Sequence, residues 1–212
     1  MMNKKQPNGY FKYLLALDCE TTGLSFTTAD PSIGHQAVAW GLIIADAATL
    51  MPIEKKYIEI KWNEASITAS MHDPAFGKKA EAIHGLSRSY LEKNGVSEQE
   101  AVIEIANLIL RYFGPNGVIK CLGHNVHMFD IPFLRAMTMR HGIELMFGSR
   151  HYDSNSVGFI TTGAFTSDAL FDTMGFPTRT SHNALNDAEM ALESCRRIKV
   201  LWESKISVNA YE

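Results

Sequence analysis

The sequence predicts an α/β protein: a mixed β-sheet, with an antiparallel meander of three strands followed by parallel strands, flanked by helices. Three observations predict it. Strand-like segments come first, near residues 14–20, 37–44 and 56–62. From Ser97 onward, helical spacing of apolar residues alternates with short apolar runs, the βαβα order that builds parallel sheet. The chain has 212 residues, enough for one substantial core and short of two.

The first strand is the apolar run Leu14 to Leu17, which ends in Asp18-Cys19-Glu20 and the turn Thr21-Thr22-Gly23. Strand alternation puts Ala16, Asp18 and Glu20 on one face and Leu15, Leu17 and Cys19 on the other. Residues 21–30, rich in Thr, Gly and Ser, read as a turn into a loop. Ala37 to Ile44 is almost wholly apolar, as in a strand buried on both faces. Residues 46–52 read as a connection, and Lys56 to Trp62 alternates polar with apolar as a third strand. Phe76 to Ile83 is a predicted short helix, with Gly85 able to take the left-handed cap conformation.

Ala101, Val102, Ile105, Leu108, Ile109 and Tyr112 fall on one helical face, and Ser97 with Glu100 forms a capping box ahead of them. Gly114-Pro115-Asn116-Gly117 ends that helix. Val118 to Leu122 is a short strand, and Ile131 to His141 returns to helical spacing through Phe133, Leu134 and Met137. Residues 152–162 fit either strand or helix. Asp168 to Met174 is a short helix ended by Gly175-Phe176-Pro177. Asn183 is placed to cap the last helix, 184–203, which is expected to bury Ala188, Ala191, Leu192, Cys195, Ile198 and Trp202. With no repeat or linker, the expected organisation is a flexible tail at 1–11, one domain at 12–206 and a C-terminal tail at 207–212.

Composition narrows the function classes. The longest uncharged apolar run, residues 37–45, is less than half of a membrane span. Residues 1–10 are polar and lack the apolar core of a signal peptide, so the expected location is cytoplasmic. Three cysteines with no Cys-x-x-Cys offer neither a disulfide framework nor a zinc knuckle. A net charge of −3 argues against gripping long duplex through a large basic face, but leaves room for a short strand end. Lys55-Lys56, Lys78-Lys79 and Arg196-Arg197-Lys199 read as solvated surface charges.

Three places carry chemistry. Asp18 and Glu20 share a strand face, where like charges repel unless a proton or cation lies between them, and a hard divalent ion with oxygen ligands suits them. A second Asp-x-Glu, Asp187-Ala188-Glu189, sits in a helical pattern where positions i and i+2 diverge. Asp130 opens a helix after a strand end, where unpaired backbone N–H groups also welcome a carboxylate. Asp187 lies on the helical line of Ala191 and Ile198, so it faces the packed side and needs a partner. A cation shared with Asp18 and Glu20 would supply one, and His182 on the preceding loop could reach a metal-bound water without being a ligand. His124 and His127 have His-x-x-His spacing but no cysteine partners nearby, which disfavours a zinc site.

Together these stretches resemble a known family. Asp18-x-Glu20 on the first strand, Asn125-x-x-x-Phe129-Asp130, and His182-x-Ala184-x-x-Asp187 before the last helix resemble the motifs of the DEDDh (DnaQ-like) 3′-to-5′ exonucleases of the RNase H-like superfamily. The similarity runs from about Tyr13 to Trp202, and Ile83-His84-Gly85 is similar to an element many members carry between the first two motifs. Asn125 and Asp130 are five positions apart, whereas bacterial proofreading members usually show four. That spacing is closer to the second exonuclease motif of family B DNA polymerases, while His182 keeps the chain in the His subgroup.

The resemblance implies an RNase H-like fold and removal of nucleoside 5′-monophosphates from the 3′ end of single-stranded or frayed DNA. It implies two Mg²⁺ or Mn²⁺ ions about 3.5 to 4 Å apart. Asp18 would bridge them, Glu20 and Asp187 complete the first, Asp130 support the second, and His182 serve as the base. Thr21 would meet the terminal sugar or phosphate, Leu24 and Phe129 wedge against bases, His84 lie beside the last nucleotide, and Asn125 belong to the substrate set. The expected partner is a nucleic-acid 3′ end, with a polymerase or a replication or repair protein as a further one, and no membrane. Two alternatives stay open: RNA 3′-end trimming by the same chemistry, and a non-catalytic nucleic-acid-binding module that kept the fold. Oligomeric state is open.

Overall fold

A strand buried on both faces has to lie inside a sheet, and the apolar run 37–45 does. In the computed structural model, which describes residues 11–24, 34–63 and 74–209, five strands form one sheet in the order β3-β2-β1-β4-β5. β1 (Tyr13–Thr21), β2 (Ala37–Asp46) and β3 (Pro52–Glu59) are antiparallel neighbours, and β4 (Cys121–Gly123) and β5 (Tyr152–Asp153) extend the sheet in parallel with β1. Among the described residues the helices are α1 (Pro74–His84), α2 (Arg88–Asn94), α3 (Glu98–Phe113), α4 (Asp130–Arg140), α5 (Ser154–Thr162), α6 (Ser167–Thr173) and α7 (Ala184–Asn209).

The alternation in β1 feeds two cores. Leu15, Leu17 and Cys19 pack with Val102, Ile105 and Ile109 of α3 and Phe133, Leu134 and Met137 of α4. Leu14 and Ala16 pack on the other face with Ala188, Ala191 and Leu192 of α7 and Leu170 and Phe171 of α6. The result is three layers with β1 in the middle of the sheet.

The capping box opens α3 as expected: the Glu100 N–H donates to Ser97 Oγ at 3.2 Å, and the Ser97 N–H donates to Glu100 Oε2 at 2.8 Å. Gly85 follows α1 at φ +73, in the left-handed region.

Several boundaries differ from expectation. β3 begins at Pro52, paired with Ala45, because the turn is tight: Asp46 Oδ1 accepts from the Ala48 and Thr49 N–H groups at 3.1 and 2.8 Å. Ile60 leaves the strand for a single bridge to Val96, and Ile119 makes only one bridge to Phe147, so β4 starts later than Val118. Residues 152–162 are both things in turn, a two-residue strand and then α5, whose Asp153 cap accepts from Asn155 N at 2.9 Å. α2 was not anticipated, since with only Leu91 buried it shows no apolar period. α7 runs on to Asn209, so residues 207–209 are helical and not tail, and Trp202 is exposed at 65% and not buried. Residues 200–205 are all exposed, so the apolar spacing there buries nothing. Residues 1–10 of the expected N-terminal tail, residues 25–30 of the expected loop and residues 210–212 of the expected C-terminal tail lie outside the described residues. No helix among those described is long and apolar enough to cross a membrane.

One contact decides where α7 sits. Gly41 of β2 pairs with Asp18, and a Cβ there would lie 2.2 Å from the Ala184 carbonyl oxygen. Only glycine lets the first turn of α7 rest directly on the sheet beside Asp18.

Candidate active site

The site is assembled from three chain ends. At the end of β1 the register shifts between Glu20 and Thr21, a bulge that re-aims side chains beside a cleft while pairing continues at Thr21 with Ala37. Crossing from β4, the chain enters α4 at Asp130, which is 1% exposed. Through the close approach at Gly41, the first turn of α7 brings buried Asp187 over the sheet, with His182 on the loop before it. The loop is tied down because the His182 N–H donates to the Ile83 carbonyl at 3.1 Å, at the end of α1. Glu20, His182 and Asp187 each present a ligand atom, all within 4.8 Å of one another.

These groups face a cleft of about 340 Å³ lined by Asp18, Glu20, Thr21, Leu24, His84, Phe129, His182 and Asp187, all expected from the sequence. Asp130 is not among the lining residues; it is buried, near enough to Asp18 to act on its charge. Asn125 lies elsewhere: it is exposed, adopts the left-handed conformation at φ 60, and donates its backbone N–H to Asp153 Oδ1 at 2.9 Å. A larger groove of about 530 Å³ on the far side of Arg179 shares Asp187 but holds neither Asp18 nor Glu20.

Burial raises Asp18 well above the ordinary carboxylate range, and the charges of Asp130, Glu20 and Asp187 add to the effect. Burial first, then Asp187, pushes Glu20 up to about 8. Burial raises Asp130 to about 7, even though the Cys19 thiol and nearby backbone N–H groups ease its charge. Those neighbours close no hydrogen bond of good geometry, and both Asp130 oxygens are buried without a partner among the described residues. Glu20 Oε1 and Asp187 Oδ1 are in the same condition. Buried carboxylate oxygens without donors are costly, and hard divalent cations satisfy such oxygens. The residues present fit that kind of ion.

His84 is buried and neutral: desolvation lowers it to about 4. Its Nδ1 accepts from the Leu86 N–H at 3.0 Å, which puts the ring proton on Nε2, and the ring is bonded to the Thr21 backbone. His84 therefore anchors the end of β1. Thr21 Oγ1 in turn donates to the Gly23 carbonyl at 2.8 Å, shaping the turn that carries Leu24, which is 65% exposed. Phe129 is seated on Phe133, ring centroids 5.0 Å apart, with one side toward the cleft.

The cleft also contains groups that sequence reasoning did not select. Cys19, expected only to pack on the opposite face, lines the cleft and neighbours Asp130. Lys79, read as a surface charge, stands at the rim, and His124 and Phe171 complete the wall. Arg179 is the largest omission: its side chain is 8% exposed and its Nη1 lies 2.8 Å from Asp187 Oδ2. It belongs to no periodic segment and no motif, so nothing in the sequence marked it.

No known family profile matches this chain, and no curated protein matches its sequence. Solved structures do match. The zinc-bound form of the E. coli exonuclease I complex with single-stranded DNA aligns with a TM-score of 0.67 at 16% identity, over 90% of this chain and 41% of that one. E. coli exonuclease I in complex with a dT13 oligonucleotide aligns at 0.65 and 14% identity, over 93% and 43%. A third exonuclease I structure, described as suggesting how processivity is achieved, aligns at 0.67 and 17% identity, over 90% and 41%. This chain shares the fold of exonuclease I. The mixed sheet with flanking helices is the RNase H-like architecture that the sequence resemblance implied. The chain spans about two-fifths of the length of these exonuclease I structures.

Proposed function

We propose that this protein is a divalent-metal-dependent 3′-to-5′ exonuclease that removes nucleoside 5′-monophosphates from single-stranded or frayed DNA. The observation that carries this reading is the convergence of Glu20, His182 and Asp187 within 4.8 Å at a cleft that also holds Asp18, on whose charge buried Asp130 acts. The single-stranded DNA in the exonuclease I structures supports the choice of substrate.

Asp18, Glu20, Asp187 and Asp130 would hold two Mg²⁺ or Mn²⁺ ions. Bound there, such ions supply Lewis acidity, easing deprotonation of water and stabilising the departing 3′ oxygen. The protein's own groups do the rest. Asp187 Oδ2 lies 3.5 Å from His182 Nδ1, so the neighbouring carboxylate favours the proton on Nδ1 and leaves Nε2 to accept one from the attacking water. Leu24 and Phe129 offer apolar surfaces to the terminal bases, which is sequence-tolerant because every base has a π-face. Lys79 at the rim offers a charge to the approaching phosphates.

The deciding experiment compares matched DNA and RNA oligonucleotides, single-stranded and duplex, with Mg²⁺ or Mn²⁺. Mononucleotides should accumulate from the 3′ end of single-stranded DNA and stop on chelation. Faster digestion of RNA would assign the chain to 3′-end trimming instead, and metal-independent or absent release would sink the enzymatic reading.

A further inference from the structure

Arg179 is a buried guanidinium inside an acidic site, and its contacts join two helices. Nε donates to Asp168 Oδ1 at 3.0 Å, and Nη2 donates to the same oxygen and to Ser167 Oγ at 2.9 Å. Both partners lie in the first turn of α6. The guanidinium carbon stands 5.0 Å from the centroid of Phe171, one turn further along the same helix. Nη1, the remaining corner, reaches across to Asp187 Oδ2 at 2.8 Å. The planar fork is thus fixed on α6 by contacts to three residues, and Nη1 donates across to α7.

The consequence falls on the two oxygens of Asp187. Oδ2 is engaged by Arg179 and neighboured by His182 Nδ1, whereas Oδ1 is buried with no hydrogen-bond partner among the described residues. We infer that Arg179 is a positioning residue that claims Asp187 Oδ2, fixes the carboxylate plane, and leaves Oδ1 as the one oxygen offered to a divalent ion. The inference rests on the metal-site reading above. Because Arg179 is three residues before His182, the same clamp also fixes the loop that carries the base. A lysine at this position would keep the charge but not the fork, since an ammonium is a point donor without the planar geometry that spans Ser167, Asp168 and Asp187 together.

The test measures Mn²⁺ binding directly, by the electron paramagnetic resonance signal of free Mn²⁺, with metal-induced thermal stabilisation as a second readout. In Arg179→Lys the charge is conserved, so a change in affinity reports geometry. Outer partners of metal ligands typically change affinity by 10 to 100-fold, and a loss of about tenfold or more is expected. Asp168 has an exposed side chain, so Asp168→Ala loosens the clamp with little risk to the fold, and a loss smaller than that of Arg179→Lys is expected. Wild-type affinity in folded Arg179→Lys, or in Asp168→Ala should the lysine variant not fold, overturns the positioning role. Tighter Mn²⁺ binding in Arg179→Met would overturn it as well, by making the guanidinium a mere competitor of the ion. If the folded wild-type protein itself fails to bind Mn²⁺, the metal-site reading fails and this inference with it, a result distinct from the others.

Discussion

Replacing Gly41 with alanine tests whether the approach of α7 to the sheet sets the active geometry. The added Cβ would lie 2.2 Å from the Ala184 carbonyl oxygen, 2.3 Å from its carbonyl carbon and 2.3 Å from the Leu185 nitrogen, where ordinary contact begins at 3.4 Å. All three are backbone atoms, so no side-chain rotation relieves them. The first turn of α7 must retreat by about 1.2 Å, and it carries Asp187 with His182 just before it. Overpacking of this kind costs typically 1 to 3 kcal/mol, roughly. A misplacement of about 1 Å at reacting groups can lower the rate on the order of a hundredfold. The assay is release of 5′-mononucleotides from a single-stranded DNA oligonucleotide with Mn²⁺, at a temperature where circular dichroism shows the variant fully folded. The expected result is a loss of about two orders of magnitude in kcat, larger than any unfolded fraction explains. A folded Gly41→Ala protein with wild-type kcat would refute the claim that this contact positions the site.

Other outcomes follow from the same geometry. Asp18→Ala should abolish nucleotide release, and His182→Ala should lower it by roughly 10² to 10⁴, the usual contribution of a general base; wild-type digestion by pure Asp18→Ala would sink the assignment. Because Glu20 is raised to about 8 and Asp130 to about 7, both must shed protons to hold a cation, so Mn²⁺ affinity should rise roughly tenfold per pH unit per proton displaced between about pH 6 and 8. Calorimetry in buffers of different ionisation enthalpy would count those protons, and a pH-independent affinity contradicts the shifts. The sign for folding follows: a raised carboxylate stabilises most below its unfolded value, and that contribution is lost as pH rises through the folded value. Metal-free protein should therefore lose stability toward about pH 8, and stabilisation by Mn²⁺ should be larger there than at about pH 6. Glu98 binds Arg140 through two bonds of 2.8 Å and His141 at 3.0 Å, joining α3 to α4. Breaking that mostly buried pair with Glu98→Gln should cost about 3 kcal/mol in urea unfolding while leaving kcat of the folded protein unchanged. Although burial opposes it, the bonds to Arg140 and His141 hold Glu98 below its ordinary range, so the deficit should shrink as acid protonates the wild-type carboxylate.

Legibility in the sequence followed the range of the physics involved. The α3 helix with its Ser97–Glu100 box, the buried β2 and the two faces of β1 were readable because period and capping act within a few residues. Asp18 and Glu20 announced themselves as same-face carboxylates, and Asp187 as an acid on a buried helical line. α2 was missed because one buried leucine in seven residues leaves no period, and the end of α7 differs because Trp202, on the expected packed line, is exposed.

The sequence by itself determined the class of the fold, the order of the elements apart from α2, and Asp18, Glu20, His182 and Asp187 of the cleft, because side-chain type and alternation decide which faces must be buried. Only the tertiary structure decided how those groups meet. Gly41 and the Cys19–Asp130 contact act between segments far apart in the chain, and Arg179 joins two helices from the aperiodic loop between them, so in each case distance is set by packing. The same holds for charge. Asp18, Glu20, Asp130 and Asp187 are ordinary carboxylates in the sequence, and they become acids with raised pKa values because folding strips their water and brings their charges together.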